Sequence, residues 1–452
     1  MLPIFILNLK LLYNYFYSFL YIFYIVLLYK MSLYSNGMIK SVIIDPTHYR
    51  ANVRASFKLD GERIYKSDLK LANVGLTIAN ASNDNVYNKL AGAGSLIKRI
   101  SLLDGKTELD SCNECHRYYA FEQLLDRNAG NESRNRYLNH NSQGLRTSEQ
   151  DKKAVNLKPA AKLTVDSTTP QALLDVRDLL PLLRNMNSLD TSKTFMNLRL
   201  EIEFETDAKL LSSDVQYAVT TLEPVLLCDV IEDPNVIAAM QKQMPSMVQF
   251  NKIEHDVVNI PAAAADGAAV TAVVQPVSKK VRGFDNKRVG RLLAVKAYAN
   301  ANKSKTGNAV DDVGNMGSLA GYDEVFNVRI NGKNVLARKG NDKAPNQRLA
   351  MVVDAYGDMA SYFGSNQISM KSNDTLVQDG VKKTGRLDYF GIVVNDEIND
   401  LQFSYDRTHL ATANDSAAKQ QVKTNAAIDI HLYAEVAKTL TMSPNGYNVA
   451  YV

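Results

Sequence analysis

Tryptophan is absent, and cysteine is scarce: Cys112, Cys115 and Cys228 are the three thiols in a chain of 452 residues. Three cysteines cannot build a disulfide framework, which suits a reducing compartment. There is no dense basic block, and the formal charge is only +4, so a dedicated nucleic-acid binder is not favoured. The motifs of nucleophilic and phosphoryl chemistry are missing as well. No Gly-x-Ser-x-Gly, no Gly-x-x-x-x-Gly-Lys-Ser/Thr and no His-Glu-x-x-His occurs. Six histidines (His48, His116, His140, His255, His409 and His431) are scattered with no signature around any serine. The expectation is a protein that is not an enzyme, with no catalytic residue, no cofactor, no cofactor-binding residue and no metal ligand assigned.

A long hydrophobic run occurs only at the start. From Leu11 to Tyr29 every residue is apolar or aromatic apart from Asn14 and Ser18, long enough for a membrane-spanning helix. A signal peptide would be shorter and would end at small residues, whereas this run ends in Leu-Leu-Tyr-Lys. Two readings of residues 1–30 stand. One is a mis-assigned start, with the working protein beginning at Met31; the other is a membrane anchor. Omitting Lys10 and Lys30 lowers the formal charge from +4 to +2, which signals no electrostatic partner either way.

What remains is 46% hydrophobic and 22% charged over the whole chain, typical of globular proteins, and long enough for two or three domains. Its patterning is largely of period two. In 51–59, Val53, Ala55, Phe57 and Leu59 alternate with Arg54, Ser56 and Lys58. In 194–205, Met196, Leu198, Leu200, Ile202 and Phe204 alternate with Asn197, Arg199, Glu201, Glu203 and Glu205. In 427–436, Ile428, Ile430, Leu432, Ala434 and Val436 alternate with Asp429, His431, Tyr433 and Glu435. Strands with one face on a core and one toward water read this way. Asp104-Gly105 and Asn331-Gly332 punctuate two such runs, and Asp60-Gly61 offers a third turn. These dipeptides tolerate the positive φ of two-residue type I′ turns, so each predicts a hairpin.

The two hairpins have similar surroundings. Residues 76–83 precede the first and 295–303 precede the second. Helix-compatible stretches follow each, and each half closes on an alternating strand. Repetition in the same order indicates one domain built twice. Between the halves, Asp233 and Pro234 mark the start of a helix and Pro245 its end. The domain expectation is an apolar leader over 1–30, a first sandwich over 31–230, a linker helix over 231–247 and a second sandwich over 248–452. Residues 175–189 read as a helical turn or two broken at Pro181, and 126–153 and 300–324 as long polar loops.

Four stretches invite a chemical reading. Cys112-Asn-Glu-Cys115-His116 has the spacing of a c-type haem attachment, and zinc could use the same residues with a fourth ligand such as His140. The preferred reading is a helix whose Cys115, Tyr119 and Leu124 pack on a sheet. Gly-rich 92–99 lacks the Lys-Ser/Thr of a phosphate loop and reads as a turn leading into a strand. The most basic window, 278–291, contains one aromatic residue and reads as a charged surface loop. Asp311-Asp312 lies in a loop with nothing to hold the pair for acid–base work.

A duplicated β-sandwich with long inter-strand loops and no chemistry resembles the double jelly-roll major capsid proteins of double-stranded DNA viruses. That lineage includes virophages, polinton-like viruses and nucleocytoplasmic large DNA viruses. The resemblance covers about residues 35–452 and rests on 96–111, 325–337, and 173–187 followed by 194–208. It implies an all-β fold of two tandem jelly-roll sandwiches with short helices in the loops. It also implies a structural role: three copies form a pseudo-hexameric capsomer that tiles an icosahedral shell. The partners implied are further copies of itself, neighbouring capsomers and minor capsid or penton proteins, with a membrane involved only if residues 1–30 are an anchor. The location implied is the virion, after assembly in the host cytoplasm or nucleus, and the loops 126–153 and 300–324 would be towers and clasps. The alternatives are a minor capsid or vertex protein and a sandwich that binds glycans.

Overall fold

A computed structural model describes residues 39–74, 76–78, 94, 96–119, 172–205, 219–221, 223–243, 246–260, 274–298, 322–335, 340–341, 350–351, 354–356, 375–378, 381–384, 389–409, 428–443 and 446–452. The leader 1–30, the loop 126–153, most of 300–324, His140, Leu124 and Asp311-Asp312 lie outside the described residues. Among those described, no helix is long and apolar enough to cross a membrane.

The first half contains β1 (Lys40–Ile44), β2 (His48–Arg50), β3 (Arg54–Leu59), β4 (Ile64–Lys66), β5 (Lys70–Val74), β6 (Leu76–Ile78), β7 (Ile97–Asp104) and β8 (Thr107–Asn113). It continues with β9 (Ala172–Asp175), α1 (Pro181–Asn185), β10 (Ser188–Asp190), β11 (Leu198–Phe204), β12 (Val219–Thr221) and β13 (Val225–Ile231). Helix α2 (Pro234–Gln241) follows. The second half contains β14 (Met247–Ile260), β15 (Val274–Val281), β16 (Lys287–Tyr298), β17 (Tyr322–Ile330), β18 (Lys333–Asn334) and β19 (Gly340–Asn341). It ends with β20 (Thr375–Gln378), β21 (Val381–Thr384), β22 (Tyr389–Ile398), β23 (Leu401–His409), β24 (Ile428–Ser443) and β25 (Gly446–Tyr451).

Pairing reveals the architecture. In the second half one sheet runs β14-β24-β16-β22, with β25 added to β24, and the other runs β15-β23-β17-β18. In the first half one sheet runs β1-β13-β4/β5-β9/β10 and the other β2/β3-β11-β7-β8, where slashes join pieces of an interrupted strand. Both halves therefore place the first, eighth, third and sixth strands in one sheet and the second, seventh, fourth and fifth in the other. That order is a jelly roll. The protein is all-β, a tandem of two jelly rolls.

The two look-alike hairpins are the same piece of the fold, the link between fourth and fifth strands. In the second half Asn331 and Gly332 form the two-residue turn, both at positive φ (51° and 78°), as a type I′ turn requires. The first half differs from expectation by one residue. Asp104 still pairs with Thr107, so Gly105 and Lys106 are central and only Gly105 has positive φ (58°), the signature of type II′. A bulge between Leu102 and Leu103 accompanies the shift. Both turns are pinned to the start of the seventh strand. Asp104 Oδ1 accepts from Asn197 N at 2.7 Å; Asn331 Oδ1 accepts from Asn399 N at 2.8 Å and Asp400 N at 3.1 Å.

Several other expectations are corrected. Asp60-Gly61 is not a hairpin turn: β3 and β4 lie in different sheets, and Gly61 (φ 94°) rounds the corner between them. Pro181 does not break a helix but opens α1, where a missing N–H costs nothing. Met196 is 78% exposed because the alternation begins only at Leu198, after a turn. The closing strands of the two halves are not equivalent either. Strand β11 is a seventh strand and β24 an eighth, so the counterpart of β24 is β13.

Alternation explains each core. Leu198, Leu200, Ile202 and Phe204 of β11 join Ala55, Phe57 and Leu59 of β3 inside the first sandwich. Ile430, Leu432, Ala434 and Val436 of β24 join Val258, Leu292 and Phe403 inside the second. Helix α2 is capped by Asp233, whose side chain accepts from Asn235 N and Val236 N, and it seats Ile237 on Ile39, Ile64 and Ile231.

Candidate functional site

Alternation points the polar face of β24 toward water, with His431 either solvated or at an interface. The face is covered: His431, Tyr433, Glu435 and Lys438 are all buried. What covers it is the first sandwich. Val248, Phe250, Ile253, Leu293, Val295, Tyr433 and Leu440 belong to the same buried cluster as the first sandwich's core. The middle of the sheet β14-β24-β16-β22, above all β24, is thus buried on both faces, and the seam between the sandwiches is part of a continuous interior.

Polar groups cross this seam with partners. Lys252 Nζ lies 2.7 Å from Glu108 Oε1, Asn185 donates to Gln249 O at 3.0 Å, and the Tyr433 hydroxyl donates to Glu114 O at 2.9 Å. Tyr118 and Tyr433 meet at 5.4 Å between ring centres, and Phe195 and Tyr447 at 5.2 Å. His255 Nε2 lies 3.0 Å from His431 Nδ1, and the rings stack. Burial, outweighing the nearby Glu114 charge, lowers His255 to about 4. Burial acts to raise Glu108, but hydrogen bonds from Lys252 and Ser111 overcome it and hold the carboxyl at about 2. Asp110 goes the other way. Fully buried, it is raised to about 7 even though its oxygens accept from Leu182 N and Ser111 N, both at 2.9 Å.

A cavity of about 290 Å³ opens at the seam, with Tyr118, Arg184 and Asn185 on one side and Asn251, Arg291 and Glu435 on the other. Its charges are satisfied within the chain. Arg291 Nη2 lies 2.7 Å from Glu435, and Arg184 donates to the carbonyls of Arg177 and Asp178. Among the described residues, nothing in this lining pairs a nucleophile with a base.

Of the stretches singled out in the sequence, Asp311-Asp312 lies outside the described residues. The window 278–291 is the end of β15, a turn and the start of β16 rather than a loop. The others find ordinary places, with one exception. Gly94 is a packing glycine, since a Cβ there would lie 2.5 Å from Tyr119 Cδ1. In the basic window, Phe284 is buried, Lys280 pairs with Asp400 at 3.0 Å, and Lys287 pairs with Glu254. Cys112 and Cys115 face the core, and Cys115 Sγ contacts Ile97 O at 3.4 Å, so the thiols do not converge on His116. The exception is His116 itself. Its Nε2 lies 3.1 Å from Glu205 Oε2 and 3.6 Å from Glu114 Oε2, in a fully buried position. Glu205 lies about ninety residues further along the chain, on a stretch read only as a strand's polar face, so no local spacing could have paired it with His116.

No protein-family model matches the chain, and no curated protein sequence matches it. Solved structures do. The chain is similar to a capsid protein in a quasi-atomic model of the PBCV-1 virus capsid, with 11% identity, 92% of this chain and 96% of that chain covered, and a TM-score of 0.53. It is similar to a chain of the Sputnik virophage structure, with 10% identity, 91% and 88% covered, and a TM-score of 0.53. At such identities the likeness is one of fold. The structural neighbours are viral major capsid proteins, and the shared architecture is the double jelly roll.

Proposed function

We propose that this chain is a major capsid protein, three copies of which form a pseudo-hexameric capsomer that tiles an icosahedral shell. The observation that carries the reading is the duplication itself. Two jelly rolls with identical strand order stand on one polypeptide and are fused through a buried seam. Fusion of this kind makes a rigid block with two similar lobes. Three such blocks around an axis present six similar lobes, a near-hexagonal outline that packs a surface without gaps. The reading makes the sandwiches 31–230 and 248–452 with 231–247 between them. It needs no active site, which accords with a seam whose charges neutralise one another. Its partners are further copies of the chain and other capsid components, and its place is the virion.

The test is the assembly state of the full chain. Light scattering after size exclusion is expected to give a trimer mass, and negative-stain images a hexagonal particle outline. A monodisperse monomer at micromolar concentration, with no hexagonal profile, overturns the proposal.

A further inference from the structure

We propose that Glu114, His116 and Glu205 form a binding site for a divalent transition-metal ion, with zinc as the fitting probe. Their three ligand atoms lie within 4.8 Å of one another. The imidazole Nε2 stands 3.1 and 3.6 Å from the two carboxylate oxygens. Those separations bracket the edge of about 3.4 Å expected for a tetrahedron with metal–ligand bonds of about 2.1 Å. One imidazole with two carboxylates is a borderline-hard donor set suited to zinc or manganese, with a coordination position left for water.

A second observation points to a ligand. His116 is 0% exposed, yet neither ring nitrogen makes a hydrogen bond of acceptable geometry, even though Nε2 is so near Glu205. Buried polar atoms are rarely left in that state. An imidazolium ion pair would leave a charged N–H without an acceptor at Nδ1. Coordination through Nε2 uses its lone pair and leaves only a neutral N–H unmatched, the smaller penalty. Cations stand near these carboxylates as well: Arg117 Nε approaches Glu114 Oε2 at 3.4 Å, and Lys98 pairs at 3.5 Å with Glu203.

The position gives the site a role. Glu114 and His116 follow β8, Glu205 follows β11, and the Glu205 amide donates to Leu96 O at 2.8 Å just ahead of β7. A metal would tie the exits of two strands together. It would do so beside the seam, where Glu114 O receives the Tyr433 hydroxyl. Glu114 itself holds a positive φ (48°), a conformation unfavourable for a side-chain-bearing residue and one that a bound cation would offset. The inference stands independently of any capsid role.

The experiment uses the full chain, stripped with a chelator, desalted and titrated with zinc chloride. Calorimetry with elemental analysis is expected to show one zinc retained per chain, and X-ray absorption a first shell of nitrogen and oxygen only. Zinc is expected to raise the thermal midpoint of the wild type. Glu205→Gln, which keeps the side-chain volume, is expected to weaken zinc binding more than about a hundredfold and abolish that rise, since it removes a whole ligand where loss of a supporting contact alone costs 10–100-fold. Failure of the folded wild type to retain zinc, sulfur in its first shell, or unchanged affinity in Glu205→Gln each overturns the assignment. If that variant does not fold, the absorption spectrum and stoichiometry of the wild type decide.

Discussion

Asp110 is the residue at which burial most clearly opposes charge. Its carboxyl is raised from 3.8 to about 7 by desolvation, against two backbone N–H donors and the more distant Lys252 and Lys438. Between about pH 4 and pH 7 the folded state therefore keeps a proton that the unfolded chain has lost. Stability on this account falls as pH rises through that window, and the loss is complete above about pH 7. The magnitude is on the order of 4 kcal/mol. Asp110→Asn cannot ionise, so its urea midpoint is expected to change less than the wild type's between pH 4.5 and 7.5. A wild-type slope preserved in the variant would assign the titration to another group. Gly94 offers a steric counterpart. Gly94→Ala drives a methyl group against the Tyr119 ring and is expected to destabilise by about 1–3 kcal/mol, with partial relief in the Gly94→Ala/Tyr119→Leu double variant. None of these roles was legible locally, because each depends on what packs above the residue.

At the scale of elements, the hairpins answer why one chain repeats an Asx-Gly-Lys turn. The glycine permits the reversal, and the Asx side chain fastens it to the start of the seventh strand. The second turn has the more complete version, since Asn331 Nδ2 also donates to Glu397 O at 2.7 Å. Asn331→Ala is accordingly expected to cost more than Asp104→Ala, by about 1 kcal/mol or more, in chemical denaturation. Equal costs would mean that the fastening bonds contribute little. Gly332→Ala, placed at φ 78°, is expected to cost about 1 kcal/mol. Alternation and turn chemistry were readable here because strand side chains repeat every two residues and positive φ selects few residue types. The one-residue difference between the turns was not readable, because a bulge in β7–β8 sets it. The mismatch of the closing strands has a similar origin: alternation marks a strand but not its place in the sheet.

Across the whole molecule, the decisive feature is the seam. Two domains joined by a linker ordinarily share a modest, polar contact and unfold separately. Here Phe250 and Leu293 of the second half lie in one cluster with Phe195 and Leu182 of the first. The described parts are therefore expected to melt in a single calorimetric transition. Phe250→Ala is expected to lower that transition as a unit, at a cost of about 3–4 kcal/mol, rather than resolve it into two. Two separate wild-type transitions would show that the sandwiches are only loosely coupled. A rigid pair is also what a capsomer of six similar lobes requires, so this measurement bears on the proposed role without presupposing it.

The amino-acid sequence by itself determined the all-β class, the inward faces of β3, β11 and β24 and the Asn331-Gly332 turn, because these are set by neighbours two to four residues apart. It also showed the duplication, through the repeated order of such elements. Tertiary structure alone decided that the outward face of β24 would be buried, and that His116 would meet a glutamate ninety residues away. Those outcomes depend on how one sheet docks on another, and a strand carries the same alternating pattern whether its polar face meets water or a second sandwich.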